Sequence, residues 1–176
     1  CQVADSKDPA LIRFIVENLS GDTIRLYIGQ DLIGSEVGAA AKNVIGIAAG
    51  MLDGFGYGSL KGALMARGAR EVSRLMKAMG GSELSAYGLC HLGDYEATLF
   101  SPYSHNRMLG ESIALQKPYD QLAEGADKVR ALRLLGKQYG VELPISNVVY
   151  EILYEKKEPL RALDQGQRRP ARRRQG

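Results

Sequence analysis

The sequence predicts a mainly α-helical domain preceded by a short strand–helix–strand unit. After Gly34, apolar residues recur at helical spacing, and glycines separate the periodic segments. Before Gly34, two short apolar runs flank one amphipathic segment, which is the pattern of an α/β unit. The length of 176 residues fits one compact domain with an attached fragment.

The first 30 residues predict a strand at Cys1–Ala4, a helix at Asp8–Leu19 and a strand at Ile24–Ile28. Asp8-Pro9 fits a helix cap followed by proline at the first helical position. Two strands and one helix do not make a sheet domain, because their open edges need further strands. The chain also starts without methionine, so we expect a piece of a longer polypeptide.

The remaining elements are predicted to be helices. Ser35–Leu52 is rich in small residues and is broken by the glycines that follow, and Ser59 is expected to cap a helix that runs to Met79. Ser82 starts a short helix, and further helices are predicted from Ser104 to Gln116, from Asp127 to Tyr139, from Pro144 to Glu155, and for a turn or two beyond Pro159.

Charge and composition limit the function classes. The formal net charge is +3, but five arginines lie in the last nine residues, so the rest of the chain carries −2. We expect residues 165–176 to be a disordered basic tail without nucleic-acid function, since it has no aromatic residues or folded frame. The sequence has no stretch of 18 uninterrupted apolar residues, so no membrane span is predicted. Two cysteines form no disulfide framework, and a cytoplasmic setting is expected.

Lys42 is the first residue whose position needs explanation. Its neighbours on the same helix face are small or apolar, so another helix backbone can approach closely. An amine in such a place is costly unless it is paired or opens on a cleft, and burial lowers its pKa toward a range that suits proton transfer. The alternative is a lysine whose stem covers the helix while its amine reaches water.

Two further segments carry polar groups. Asp94 follows a glycine-flanked turn, where it caps the next segment, pairs with Lys42 or binds a substrate hydroxyl. Cys90 and His91 are adjacent, but no second pair completes a metal site, so no metal is expected. Ser104, Asn106 and Arg107 lie at a helix start, where they either bind an anion or cap the helix. The glycines at 54, 56 and 58 lack the spacing of a dinucleotide loop.

In order along the chain, these features resemble the bacterial NAD(P)-dependent glycerol-3-phosphate dehydrogenases. The stretch Ile33–Gly68 resembles the family's segment around its catalytic lysine, and GLCHLGD ending at Asp94 resembles its GLAGLGD. SHNR from Ser104 resembles SRNR, LAEG from Leu122 resembles VVEG, and VELPI from Val141 resembles VEMPI. The likeness covers about residues 1–160.

The resemblance implies a fold and a reaction. It implies a multi-helix domain of the 6-phosphogluconate dehydrogenase C-terminal-like type at 31–164, preceded at 1–30 by the remnant of an NAD-binding Rossmann domain. Such enzymes interconvert dihydroxyacetone phosphate and sn-glycerol 3-phosphate with NAD or NADP, and so serve phospholipid biosynthesis and carbohydrate metabolism in the cytoplasm. A chain without the cofactor domain is expected to be inactive, and homodimer formation is a further expectation.

The resemblance also assigns roles by position. Lys42 becomes the general acid/base, the substrate contacts are Asn43, Asp94, Thr98, Ser104, His105 and Asn106, and the cofactor contacts are His105, Leu122 and Glu124.

Several positions depart from the family pattern. His105 replaces an arginine, so phosphate affinity is expected to be weaker and pH-dependent. His91 replaces a glycine and is expected to crowd the pocket, and Tyr95-Glu96-Ala97 departs from the usual apolar run. Two alternatives therefore stay open: a diverged, non-catalytic helical domain for oligomerisation or binding, or a dehydrogenase of another small phosphorylated or carboxylated alcohol.

Overall fold

The computed structural model describes residues 2–162, and it is mainly helical, as predicted. Two strands and six helices are ordered β1 (Gln2–Ala4), α1 (Pro9–Leu19), β2 (Leu26–Ile28), α2 (Leu32–Gly54), α3 (Lys61–Ala78), α4 (His105–Ala114), α5 (Gly125–Gln138) and α6 (Pro144–Tyr154). A further helical turn covers 159–162. The tail predicted at 165–176 lies outside the described residues.

The N-terminal unit is a two-stranded parallel sheet joined by α1. Gln2 pairs with Leu26 and Ala4 with Ile28. Asp8 caps α1 by accepting the Ala10 N–H at 2.9 Å, which confirms the predicted cap. The unit is therefore a β–α–β element whose sheet ends after two strands in the described part of the chain.

Helix α2 is the centre of the domain. It begins three residues earlier than predicted, because Asp31 caps it by accepting the Gly34 N–H at 3.0 Å. The same carboxylate accepts the Ser85 hydroxyl at 2.6 Å and so ties α2 to the segment after α3. Helix α2, with 23 residues, is long and apolar enough to cross a membrane, because an 18-residue stretch of it has a mean hydropathy of 1.2. However, 61% of that stretch is buried inside the protein. Its hydropathy is thus that of a core helix.

Helices α2 and α4 lie with their backbones in close contact. A Cβ atom added at Gly50 would lie 2.7 Å from the carbonyl carbon of Arg107, and one added at Gly110 would lie 2.9 Å from that of Ile47. Gly46 and Gly54, one turn to either side of Gly50, also face α4. The small residues of α2 therefore serve the close helix approach that the sequence predicted.

The start of α3 corrects one prediction. Ser59 lies inside a 3-10 turn, Gly58–Leu60, and Leu60 precedes α3 without a side-chain cap. In place of a capping hydroxyl, Lys61 anchors this end: its amine lies 2.6 Å from the Asp53 carboxylate and donates to the Leu99 carbonyl at 2.9 Å. Ser82, by contrast, caps the short helix Glu83–Tyr87 as predicted.

Two short helices between α3 and α4 were not predicted. Leu92–Asp94 forms a 3-10 turn, and Glu96–Phe100 forms a π-helical turn. Neither has the 3.6-residue period on which sequence prediction of helices depends. Together they place Asp94 and Thr98 against α2, next to Lys42 and Gly46.

A buried carboxylate joins α3 to α6. Glu71 accepts the backbone N–H groups of Ile145 at 2.7 Å and Ser146 at 3.0 Å, and the Ser146 hydroxyl at 2.7 Å. These are free amide groups of the first turn of α6, so Glu71 caps that helix from outside it.

Candidate active site

Lys42 lies on α2 and forms an ion pair with Asp94, which lies just before the π-helical turn. The lysine side chain is 24% exposed and the aspartate side chain 38%, so the pair is partly buried and still reaches solvent, and the surface region around these two side chains is called the recess. The two residues are 52 positions apart in sequence. The structure therefore makes the Lys42–Asp94 contact, which was one of the three alternatives for Asp94.

Burial makes the charged form of Lys42 less favourable than it is in water, whereas the paired Asp94 carboxylate favours that charged form. Burial lowers the pKa of the Lys42 amine, and the positive charge of Lys128 lowers it further. The carboxylate of Glu124 acts in the opposite direction. A half-buried amine whose pKa lies below the ordinary lysine range can give and take a proton more readily near neutral pH.

Asn43 and Glu124 meet on the next side of the recess. The buried Asn43 amide donates to the Glu124 carboxylate at 3.4 Å, and the exposed Glu124 also pairs with Lys128, four residues later on α5. The pairing with Lys128 lowers the pKa of Glu124. Lys128 was not identified from the sequence, although the Glu–Lys spacing of four was the available signal.

Thr98 and Asn106 hold the backbone around the recess. The Thr98 hydroxyl donates to the Asp94 carbonyl at 2.9 Å, and the Asn106 side-chain oxygen accepts the Gly125 N–H at 2.8 Å. A Cβ atom at Gly46 would lie 2.9 Å from the Thr98 methyl and 3.3 Å from Asn106, so both residues border the same turn of α2. The structure thus brings Lys42, Asp94, Thr98 and Asn106 together.

The first turn of α4 is capped by Ser104, whose hydroxyl accepts the Arg107 N–H at 3.4 Å. Arg107 is engaged elsewhere: its guanidinium lies 2.9 Å from Asp53 and 3.0 Å from Glu111, and it donates to the Ser101 carbonyl. Arg107 is thus already paired with two carboxylates, one of which it shares with Lys61, so the structure gives no support to Arg107 as an added donor for an anion.

Two predicted contact residues are exposed at the rim. His105 is exposed, and its Nδ1 lies 2.9 Å from the Tyr119 hydroxyl. Leu122 is 78% exposed, two residues before Glu124. Leu122 and His105 are therefore accessible from solvent, and the assignment of Leu122, Glu124 and His105 as cofactor contacts stays a prediction. Within residues 2–162, no cluster of three or more His, Cys, Asp or Glu side chains is placed to hold a metal ion.

His91 does not crowd the recess, contrary to expectation. It is fully buried, its Nδ1 lies 3.0 Å from the Gly38 carbonyl oxygen, and its Nε2 lies 2.6 Å from the Tyr95 hydroxyl. Since a carbonyl only accepts, Nδ1 carries the proton and Nε2 accepts from Tyr95. Burial lowers the pKa of His91 to about 4.

This lowered pKa predicts acid sensitivity. Above pH 6.5 His91 is neutral in both the folded and the unfolded chain. Between pH 6.5 and 4 the unfolded chain binds a proton that the folded chain excludes, so the free energy of unfolding falls as the pH falls, by up to about 3 kcal/mol. Urea unfolding at several pH values measures this loss, and a His91→Gln chain should lack that part of it. Parallel curves for both chains would contradict the prediction.

The chain is similar to known proteins over most of its length. The family model for the NAD-dependent glycerol-3-phosphate dehydrogenase C-terminus matches residues 31–164. A glycerol-3-phosphate dehydrogenase (NAD(P)+) of Clostridium botulinum is 43% identical over 77% of this chain and 43% of that protein. One of Thermus thermophilus is 42% identical over 87% of this chain and 49% of that protein.

Solved structures agree with the sequence comparisons. The crystal structure of glycerol-3-phosphate dehydrogenase from Coxiella burnetii matches with a TM-score of 0.86 and 29% identity, over 93% of this chain and 53% of that one. Glycerol-3-phosphate dehydrogenase from Plasmodium falciparum, at 17% identity and a TM-score of 0.80, shares the fold. The chain spans about half the length of the curated relatives it matches. It belongs to the NAD-dependent glycerol-3-phosphate dehydrogenase family and corresponds to the C-terminal domain of that family.

Proposed function

We propose that this chain is the substrate-binding half of an enzyme that interconverts dihydroxyacetone phosphate and sn-glycerol 3-phosphate with NAD or NADP. The observation that carries the proposal is the Lys42–Asp94 pair, a half-buried amine on α2 held by a carboxylate beside Asn43, Thr98 and Asn106. A proton donor needs to be close to the reacting oxygen and to have a pKa near the working pH, and burial of Lys42 moves its pKa in that direction.

In the reducing direction, the ketone oxygen of the substrate receives its proton from the Lys42 ammonium. A reduced nicotinamide, when bound, supplies the hydride to the carbonyl carbon. One proton and one hydride add across the C=O bond, so the product is the secondary alcohol and Lys42 is left neutral. In the oxidising direction the neutral amine removes the hydroxyl proton. Asp94 orients the amine, and the exposed fraction of Lys42 lets it regain its proton from water.

The remaining polar groups bind the rest of the substrate. Asn43, Ser104 and Asn106 offer amide and hydroxyl groups around the recess, and Ser104 stands at the N-terminus of α4, where the helix dipole favours an anion. A phosphate at that end would compete with the capping contact of Ser104. His105 offers fewer donors than an arginine, so its contribution to phosphate binding is smaller.

Leu122, Glu124 and His105 would hold the nicotinamide cofactor at the rim of the recess. Glu124 is already oriented by Asn43 and Lys128, and Leu122 presents an apolar surface to an aromatic ring. The proposal includes cytoplasmic location and homodimer formation as predictions. A non-catalytic binding domain and a dehydrogenase of a related small alcohol are the competing outcomes of the experiment below.

A titration of the full chain with glycerol 3-phosphate tests substrate binding. In ¹⁵N-labelled chain, we expect shifts confined to residues around Lys42, Asp94 and Ser104, with a dissociation constant of about 1 mM or tighter. Glycerol, which lacks the phosphate, should produce no comparable shifts. Inorganic phosphate tests binding of the anion alone, and small hydroxy acids test the alternative substrates. Absence of local shifts with glycerol 3-phosphate would favour the non-catalytic alternative, and a stronger response to a hydroxy acid would favour another substrate.

A further inference from the structure

The segment on either side of Asp94 is anchored to α2 by two buried rings. His91, three residues before Asp94, contacts the Gly38 carbonyl, and Tyr95, directly after Asp94, donates its hydroxyl to the other nitrogen of His91. Gly38 lies four residues before Lys42, so its carbonyl oxygen is also the helix acceptor for the Lys42 N–H. One carbonyl therefore links the turn that carries the amine to the segment that carries the carboxylate.

The packing around these rings leaves little room for movement. A Cβ atom added at Gly38 would lie 3.1 Å from the Cβ of His91 and 3.2 Å from the Cys90 carbonyl oxygen, so the backbone of this segment lies close against α2. On the other side, a Cβ atom at Gly68 of α3 would lie 3.0 Å from the Tyr95 hydroxyl. The Tyr95 ring is fully buried and packs with Ile45 of α2. The two rings thus fill the space between α2 and α3 beside the recess.

Only one assignment of donors and acceptors satisfies the hydrogen bonds of His91 and Tyr95. The Gly38 carbonyl requires a proton on Nδ1 of His91, and a neutral ring then offers only an acceptor to Tyr95. Burial lowers the pKa of His91 to about 4 and raises the pKa of Tyr95, so both groups keep this protonation state around neutral pH. Neither ring is exposed, so neither can itself touch a substrate.

We propose that His91 and Tyr95 are positioning residues, which hold the Asp94 carboxylate against the Lys42 amine by tying the chain on both sides of Asp94 to α2. The inference rests on the proposed function, because its consequence is the geometry of the proton-transferring lysine. Both residues are positions at which this chain departs from the family motif that it resembles. Since the two departures are joined by one hydrogen bond, they form a single unit.

The test measures the pKa of the Lys42 amine in the full chain, by NMR of ¹³C-labelled lysine, with Lys42→Arg to assign the signal. Asp94→Asn calibrates the readout: loss of the opposite charge should lower the Lys42 pKa by about one unit. Tyr95→Phe removes one oxygen, and His91→Leu removes both hydrogen bonds. Each is expected to lower the Lys42 pKa in the same direction as Asp94→Asn. His91→Gln keeps a donor and an acceptor, and should restore part of the shift.

A matched control separates positioning from general loss of stability. Val149→Ala truncates a fully buried side chain of α6 that belongs to the main core and not to the cluster around Tyr95, and should lower Tm while leaving the Lys42 pKa unchanged. If Tyr95→Phe also leaves that pKa unchanged, or if Asp94→Asn does not lower it, the proposal is overturned. Should His91→Leu not fold, Tyr95→Phe decides alone. Failure of the proposed function is seen separately, as absence of glycerol 3-phosphate binding to the unmodified chain.

Discussion

Replacement of Lys42 by alanine is expected to lower turnover by about 100-fold to 10,000-fold, the range that a general acid or base contributes. The measurement needs a cofactor-binding half, which the corresponding part of the Thermus thermophilus relative can supply in a chimera with this chain, since that relative is 42% identical over 87% of the chain. Because the Lys42 side chain is only partly buried, its truncation should leave the circular dichroism spectrum unchanged.

Two comparisons make the Lys42 result specific. Lys77→Met removes an exposed lysine that pairs with Glu83 on the surface, and should retain full turnover. A small primary amine in the buffer should restore part of the activity of Lys42→Ala, because it can occupy the vacated volume and carry the same proton. Turnover close to that of the unmodified chimera in Lys42→Ala would refute the role assigned to the amine.

The second large effect concerns the contact between α2 and α4. Gly50→Ala and Gly110→Ala each place a methyl group against a backbone carbonyl of the opposite helix, where no side-chain rotation relieves the overlap. We expect each change to lower the free energy of unfolding by about 3 kcal/mol or more. Chemical denaturation of the full chain measures this directly. The substitution also moves Ser104 and Asn106 away from Lys42, so glycerol 3-phosphate binding should weaken.

Gly62→Ala is the matched control for this experiment. Gly62 lies in α3, and a Cβ atom there meets nothing within 4 Å. Since alanine favours a helix over glycine, that change should raise stability by up to about 1 kcal/mol. If Gly50→Ala and Gly110→Ala leave the free energy of unfolding unchanged or raise it, as Gly62→Ala does, α2 and α4 do not pack as closely as described.

Local signals in the sequence account for much of the fold. Asp8-Pro9 predicted the start of α1, and the small residues before Leu52 predicted close packing of α2. Two helix starts were predicted wrongly: Ser59 does not act as the expected cap of α3, and Asp31, which was not predicted as a cap, begins α2. A capping residue is defined by where its side chain points, which depends on the neighbouring turn.

The sequence identified residues of the candidate site better than it identified the contacts between them. Lys42 stood out because a charge among small residues needs a partner, and Asp94 was among the candidates. The turns at Leu92–Asp94 and Glu96–Phe100 place Asp94 next to Lys42, which is 52 positions away in sequence. The backbone of these turns has no periodic sequence signal. The His91–Tyr95 contact was missed for the same reason, although its spacing of four residues was visible. The roles of the contacts remain predictions.

The central position of α2 has a consequence for how the protein can fail. Its 23 residues form the main wall of the core and also carry the amine of the recess. Local fraying commonly releases loops and chain ends long before a protein melts, and residues 41–52 of α2 are buried except for Lys42, so we expect this part of the helix to resist it. We therefore expect the Lys42 amine to lose its position only when the whole domain unfolds cooperatively.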